Sequence, residues 1–201
     1  MGILKKLSSL ASKKRLKGIA AGLFYSKLNY CLPLFSNIWG LDSYKEGGTR
    51  FSSFTKDGNR KIQVLQNKVA RLLVGKEKGM TSNIYTMSTK ELLFKSGDLS
   101  VQQMGAYQTL VMTKKIVLNQ KPKYLADKLL PGGNRETRSG ATLPEEKTSL
   151  GLSREEFINR GVKLFNLLPE EIKSEKKLTR FKTKTTNLCA RKYFGKALRS
   201  L

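Results

Sequence analysis

Apolar residues recur along this chain at intervals of three and four, and clean period-two runs are missing. Leu16, Ile19, Ala20 and Leu23 stand at i, i+3, i+4 and i+7, one face of an amphipathic helix. The spacing predicts a helix from about Lys13 to Leu32, because Pro33 cannot continue its hydrogen-bond ladder. Gly18, Ala21 and Gly22 leave low spots on it where another helix can approach closely. Residues 3–10 predict a short helix ahead of it.

The next periodic stretch runs from about Asn59 to Val74, with Thr55 or Asp57 as cap and Gly75 as its end. Its predicted apolar face is Ile62, Leu65, Val69, Leu72 and Leu73. At about 100° per residue, Arg60, Lys61, Lys68 and Arg71 gather on one flank, with Gln63, Gln66 and Asn67 on the other. That pattern suits a helix packed behind and facing phosphate in front. A short helix is predicted over Ser88–Lys95, stopped by Gly97. A long helix follows to about Asn119, capped by Asp98, or by Ser100 with Gln103 as capping-box partner. Being apolar around most of its girth, it should be central and buried. Pro122 is expected to open a helix through Leu130 from its first position. Further helices are predicted around Arg154–Leu167 and from about Lys176 to Phe194, with a turn at Pro169 between them. The last has Leu178, Phe181, Thr185 and Leu188 inside and Arg180, Lys184 and Arg191 outside.

Leu41 to Thr55 and Pro131 to Leu150 lack a helical period and read as loops. The fold class expected is therefore all-α, a helical bundle. Residues 1–130 would form a larger lobe, 131–150 a linker, and 151–201 a basic C-terminal helical segment.

Charge sharpens this picture. The 201 residues hold 39 Lys and Arg against 15 Asp and Glu, a net charge of +24. No acid precedes Asp42, and 173–201 contains Glu175 alone. Such an excess repels itself in a compact state and points to an anionic partner, nucleic acid before membrane surface. The basic stripes recur on three predicted helices: Lys13, Lys14, Arg15 and Lys17; Arg60, Lys61, Lys68 and Arg71; Arg180, Lys184 and Arg191. Aromatics able to stack on bases, Tyr25, Tyr30, Phe51, Phe54 and Tyr193, lie near them in sequence, although most aromatics in a folded chain serve the core.

Catalytic chemistry finds little support. The chain has no histidine, which removes Ser-His-Asp and Cys-His catalysis and His-containing zinc sites. Cys31 and Cys189 are too few for a four-cysteine site and read as reduced intracellular thiols. Adjacent acids such as Glu145–Glu146, Glu155–Glu156 and Glu170–Glu171 point about 100° apart on a helix and suit its N-terminal dipole better than a metal pair. Walker A and dinucleotide fingerprints are missing, and no metal or other cofactor is expected. Lys6 stands where a myristoylation signal wants Ser or Thr, and Lys27 and Asn29 interrupt the most apolar run, so no membrane span is expected. The acid-free, basic, Ser-containing residues 1–41 also describe a mitochondrial transit segment.

The ordered set LSSLASKKRLKGIA, LNYC with IWG, NRKIQVLQNKVARLL, SGDLSVQQ, KPKYL, FINRGVKLFNLLPEEI and RFK resembles the C-terminal region of non-LTR retrotransposon reverse transcriptases. The resemblance runs from about Leu7 to Lys184 and lapses over 43–53 and 131–150. It implies the thumb and the helical region after it, which grip template–primer duplex. It also implies duplex gripping by Lys13–Lys17 and Arg60–Arg71. The family's catalytic aspartates belong to the palm, and this chain has no Asp-Asp pair to match them.

The function expected is thus a non-catalytic basic module that binds RNA or an RNA–DNA duplex through phosphate contacts. The alternatives are an accessory part of a reverse transcriptase needing a separate palm, and an organellar or ribonucleoprotein RNA-binding component. A nuclear or cytoplasmic location is expected, with a mitochondrial one as the alternative. No small-molecule substrate is expected.

Overall fold

The computed structural model describes residues 2–30, 32, 56–75, 87–130, 136–137, 140–145 and 157–190. Among the described residues the regular structure is helical apart from two two-residue strands, and the fold is all-α. The helices are α1 (Gly2–Leu10), α2 (Lys13–Ala20), α3 (Ser26–Asn29), α4 (Lys56–Val74), α5 (Thr89–Ser96), α6 (Val101–Asn119), α7 (Lys123–Leu129), α8 (Phe157–Asn166), α9 (Glu170–Lys173) and α10 (Leu178–Ala190). Strands β1 (Glu136–Thr137) and β2 (Gly140–Ala141) pair antiparallel, Glu136 opposite Ala141. The described residues group into two compact units, one from 2–32 and 56–104, the other from 105–190. Of the 131–150 stretch, expected as a linker, residues 136–137 and 140–145 are described and belong to the second unit.

In the first unit α2 does not run straight on as an α-helix. A π turn over Ala21–Tyr25, closed by the Ser26 N–H donating to the Ala21 carbonyl, joins it to α3. A π turn adds one residue to the repeat. The inward face consequently slips: Leu16 and Ala20 are buried as expected, but Leu23 is 47% exposed while Phe24 and Tyr25 turn onto the core. Helix α3 ends at Asn29, where Tyr30 turns extended (ψ 119°), and Leu32 is again helical. Gly18 and Gly22 face open space rather than a neighbouring helix, contrary to the expectation of close approach.

Both α1 and α2 pack on α4 around Leu4, Leu16, Ala20, Val69 and Leu73. Helix α4 starts earlier than predicted and presents a different face. Gln66 and Asn67 are buried beside Val69, Ala70 and Val74, whereas Leu65 is 41% exposed. The amides turn inward because they satisfy backbone and side-chain groups of the α5–α6 corner. Gln66 Nε2 donates to the Leu99 carbonyl (2.6 Å), Asn67 Nδ2 to Thr89 Oγ1 (2.9 Å), and Gln63 Oε1 accepts from the Val101 N–H (3.1 Å). Gln63 Nε2 in turn donates to Gln66 Oε1 (2.8 Å) and Asn67 Oδ1 (3.0 Å).

The corner itself is locally encoded. Ser88 and Glu91 form a capping box at the start of α5. At its end Gly97 takes φ 72°, with its N–H on the Phe94 carbonyl and the Asp98 N–H on the Leu93 carbonyl, a Schellman closure. Ser100 caps α6: its Oγ accepts from the Gln103 N–H (3.3 Å) while Gln103 Oε1 accepts from the Ser100 N–H (2.9 Å). Asp98, the other cap candidate, instead accepts from the Tyr25 hydroxyl (2.8 Å).

In the second unit α6 is the central helix, as its apolar girth predicts. Ala106, Leu110, Val111 and Ile116 pack with Leu129 of α7, Val162, Leu164 and Phe165 of α8, Ile172 of α9 and Phe181 of α10. Burying each of the large residues contributes about 1.5–3 kcal/mol. Helix α7 starts after Pro122, which stands at the cap and not at the first helical position. Gly161 allows α8 to meet α6 closely, since a Cβ there would collide with Thr113 Oγ1. The 142–145 stretch is tied down by Asn166, which accepts from the Leu143 N–H (2.9 Å) and donates to the Leu143 carbonyl (2.9 Å). Lys114 is buried with its ammonium donating to the Lys173 carbonyl (2.7 Å) and lying 5.8 Å and 5.6 Å from the ring centres of Phe165 and Phe181. Burial holds its pKa below the usual lysine value, against the pull of Glu175.

Candidate nucleic-acid interface

The sequence-predicted cations fall on both units. Lys13, Lys14, Arg15 and Lys17 lie on α2, whose Ser12 cap accepts from the Arg15 N–H. Lys14 and Arg15 are exposed and Lys13 half-buried. Lys17 is exposed along its stem, but its ammonium donates to the Ser96 carbonyl (3.1 Å), neutralising the carboxyl end of α5. On α4, Arg60, Lys61 and Lys68 are exposed and share the outward face with Val64 and Leu65. Arg71 is half-buried, and its Nε is enclosed with no hydrogen-bond partner.

Since α2 and α4 share one core, the structure brings the first two basic clusters onto the same unit. Lys5 and Lys6, which sequence reasoning did not single out, are exposed on α1 beside them. Across α1, α2 and α4 the single carboxylate in sequence is Asp57. A cationic surface so poor in carboxylates can receive several phosphates without repelling any.

The third cluster belongs to the second unit. Arg180 is exposed on α10. Lys184 is committed internally, 3.0 Å from Glu175 Oε2 and donating to the Glu171 carbonyl (3.3 Å). The Lys184 hydrogen bond to Glu175, backed by the Lys184 and Arg180 charges, holds the Glu175 carboxyl below the usual range. Arg191 lies outside the described residues.

Of the aromatics expected near these cations, Tyr25 is turned inward and bonded to Asp98, while Tyr30 is exposed. Phe51, Phe54 and Tyr193 lie outside the described residues. Two exposed aromatics were missed, Phe94 on α5 (87% exposed) and Tyr124 on α7 (68% exposed). A helical projection would have found both: Phe94 stands about 150° from the centre of the buried Leu92, Leu93 and Ser96, and Tyr124 about 170° from that of the buried Ala126 and Leu129.

Among the described residues no cluster of three or more metal-ligating side chains occurs, and no helix is long and apolar enough to cross a membrane. Burial pushes the Cys189 thiol up to about 12, which leaves it protonated and unreactive near neutrality. Cys31 lies outside the described residues. Glu170 and Glu171 occupy the first turn of α9, with Glu170 Oε2 3.7 Å from the Lys173 ammonium. Comparison with protein-family models, with curated proteins and with solved structures returned no match.

Proposed function

We propose that the chain is a helical module that binds nucleic acid, RNA or an RNA–DNA duplex, through its phosphates, and performs no catalysis by itself. The observation that carries this reading is the first unit. Its helices α1, α2 and α4 share one core and carry exposed cations, among them Lys5, Lys14, Arg15, Arg60 and Lys68, while Asp57 is the one acid in their sequences. Phosphates neutralised there release counterions, which gives affinity with little base reading. The ordered sequence resemblance to reverse transcriptase thumbs supports an origin in that family, and the missing Asp-Asp pair agrees with a binding role.

The test is a fluorescence-anisotropy titration against an RNA–DNA hybrid, single-stranded RNA and heparin between about 50 and 200 mM salt. The expected result is that a nucleic acid binds more tightly than heparin. Lys68→Glu and Arg60→Glu should each flatten its log–log salt dependence by about one unit for every phosphate no longer neutralised. Arg180→Ala should weaken binding more than Lys184→Ala, since Lys184 is already paired with Glu175. Equal binding of all three polyanions, with one salt slope unaltered by the α4 reversals, would refute the proposal.

A further inference from the structure

Phe94 stands almost wholly in water on a helix whose other large apolar residues, Leu92 and Leu93, are buried. Lys90, one turn earlier on the same outer face, and Lys95 beside it are both exposed, and the Lys17 ammonium reaches the Ser96 carbonyl at that end of α5. Leaving a phenylalanine in solvent forgoes about 1.5–3 kcal/mol of burial. At 87% exposure no lysine stem covers the ring either. The second unit repeats the combination. Tyr124, 68% exposed on α7, has Lys128 one turn on and Lys123 and Lys121 just before it, all exposed. Tyr30, also exposed, ends a helix instead of standing on one.

Each ring also has one exposed carboxylate a turn away, Glu91 at Phe94 and Asp127 at Tyr124, outnumbered by the lysines. A bare ring with ammonium groups in excess matches one ligand chemistry closely, the flat face of an unpaired base with its phosphate alongside. An aliphatic protein surface would match the ring and not the lysines. A duplex would match the lysines and not the ring, because paired bases are already stacked on one another.

We infer that Phe94 and Tyr124 are stacking platforms for unpaired bases, so that the chain takes single-stranded nucleic acid, or the unpaired end of a duplex, at these two helices. This rests on the nucleic-acid reading above and names its substrate class. It requires nothing of how the two residues lie relative to each other.

The experiment compares a single-stranded RNA of about 12 nucleotides, within the usual site sizes, with a blunt RNA–DNA hybrid of equal length. Phe94→Ala, Phe94→Leu and Phe94→Trp, with the same set at Tyr124, are titrated against both. Because both residues are exposed, circular dichroism should show unchanged folding. Alanine and leucine should each weaken single-strand binding by about 5- to 150-fold, the equivalent of one base stack. The hybrid affinity and the salt slope should not move, since every phosphate keeps its cation. Tryptophan should retain binding where leucine loses it, which separates stacking from mere apolarity. If leucine binds like wild type, or all variants retain single-strand affinity while the wild type still prefers nucleic acid to heparin, the inference is wrong and the phosphate-binding reading stands. If the wild type shows no such preference, both fall. Concentration-dependent self-association in sedimentation, abolished by Phe94→Ala, would instead assign the ring to a protein interface and overturn the inference.

Discussion

Replacing Gly161 with alanine tests the closest helix contact in the second unit. Two effects oppose each other. Alanine inside α8 is favoured over glycine by about 0.8–1 kcal/mol through helix propensity. The added Cβ, however, collides with Thr113 Oγ1 and meets its Cβ at 3.6 Å and Cγ2 at 3.7 Å. Thr113 is fully buried, and its hydroxyl donates to the Thr109 carbonyl at 2.9 Å. Turning the β-branched side chain away breaks that hydrogen bond and places the methyl where the hydroxyl stood. Overpacking of this kind costs about 1–3 kcal/mol, so Gly161→Ala should destabilise by about 1 kcal/mol net. In a Thr113→Ala background the obstruction is gone and the same change should stabilise by about 1 kcal/mol. Urea denaturation of the four proteins, with a shared m-value, reads the coupling directly. A Gly161→Ala effect of the same sign in both backgrounds would refute the account of how α6 and α8 meet.

Tyr25→Phe removes the hydroxyl that donates to Asp98 and should cost about 1–2 kcal/mol at neutral pH. Burial, the Asp98 charge and that hydrogen bond raise the tyrosine pKa above its ordinary value near 10. The unfolded chain therefore loses this proton first, and the contribution is full below about pH 10 and shrinks as pH rises further. The stability gap between wild type and Tyr25→Phe, read by denaturation across that range, should narrow with alkali; a constant gap would contradict the assignment. In a Cys31→Ser background, iodoacetamide should label Cys189 only as fast as the protein opens, because the thiol is buried and held protonated. Labelling at the rate of a free thiol in the native state would show that α10 does not bury it.

Features set by a few neighbouring residues were legible in the sequence. The Gly97 stop and the central α6 follow from spacing alone, and Ser100 with Gln103 was one of two caps that spacing allowed; the structure has all three. Features set by distant partners were not. Nothing near Gln66 reveals that its amide reaches a carbonyl at Leu99, so the amide flank of α4 was left out of its predicted buried face. The π turn was likewise hidden: nothing from Ala21 to Tyr25 forbids an ordinary helix, yet one inserted residue exchanges Leu23 for Tyr25 on the core side. For the candidate site, which residues carry charge was evident, but which charges are already spent was not. Lys17 at Ser96 and Lys184 at Glu175 acquire their partners only through tertiary packing.

The buried amides of α4 also bear on the face that never touches them. An interface of leucine and valine alone can slip by a turn and lose little. Here a slip would pull Gln63, Gln66 and Asn67 off Val101, Leu99 and Thr89, at about 1–3 kcal/mol for each polar group stranded. Helix α4 is thereby keyed to a single rotational setting. Arg60, Lys61 and Lys68 inherit that setting, so their compass bearing is dictated by three uncharged side chains turned toward the α5–α6 corner.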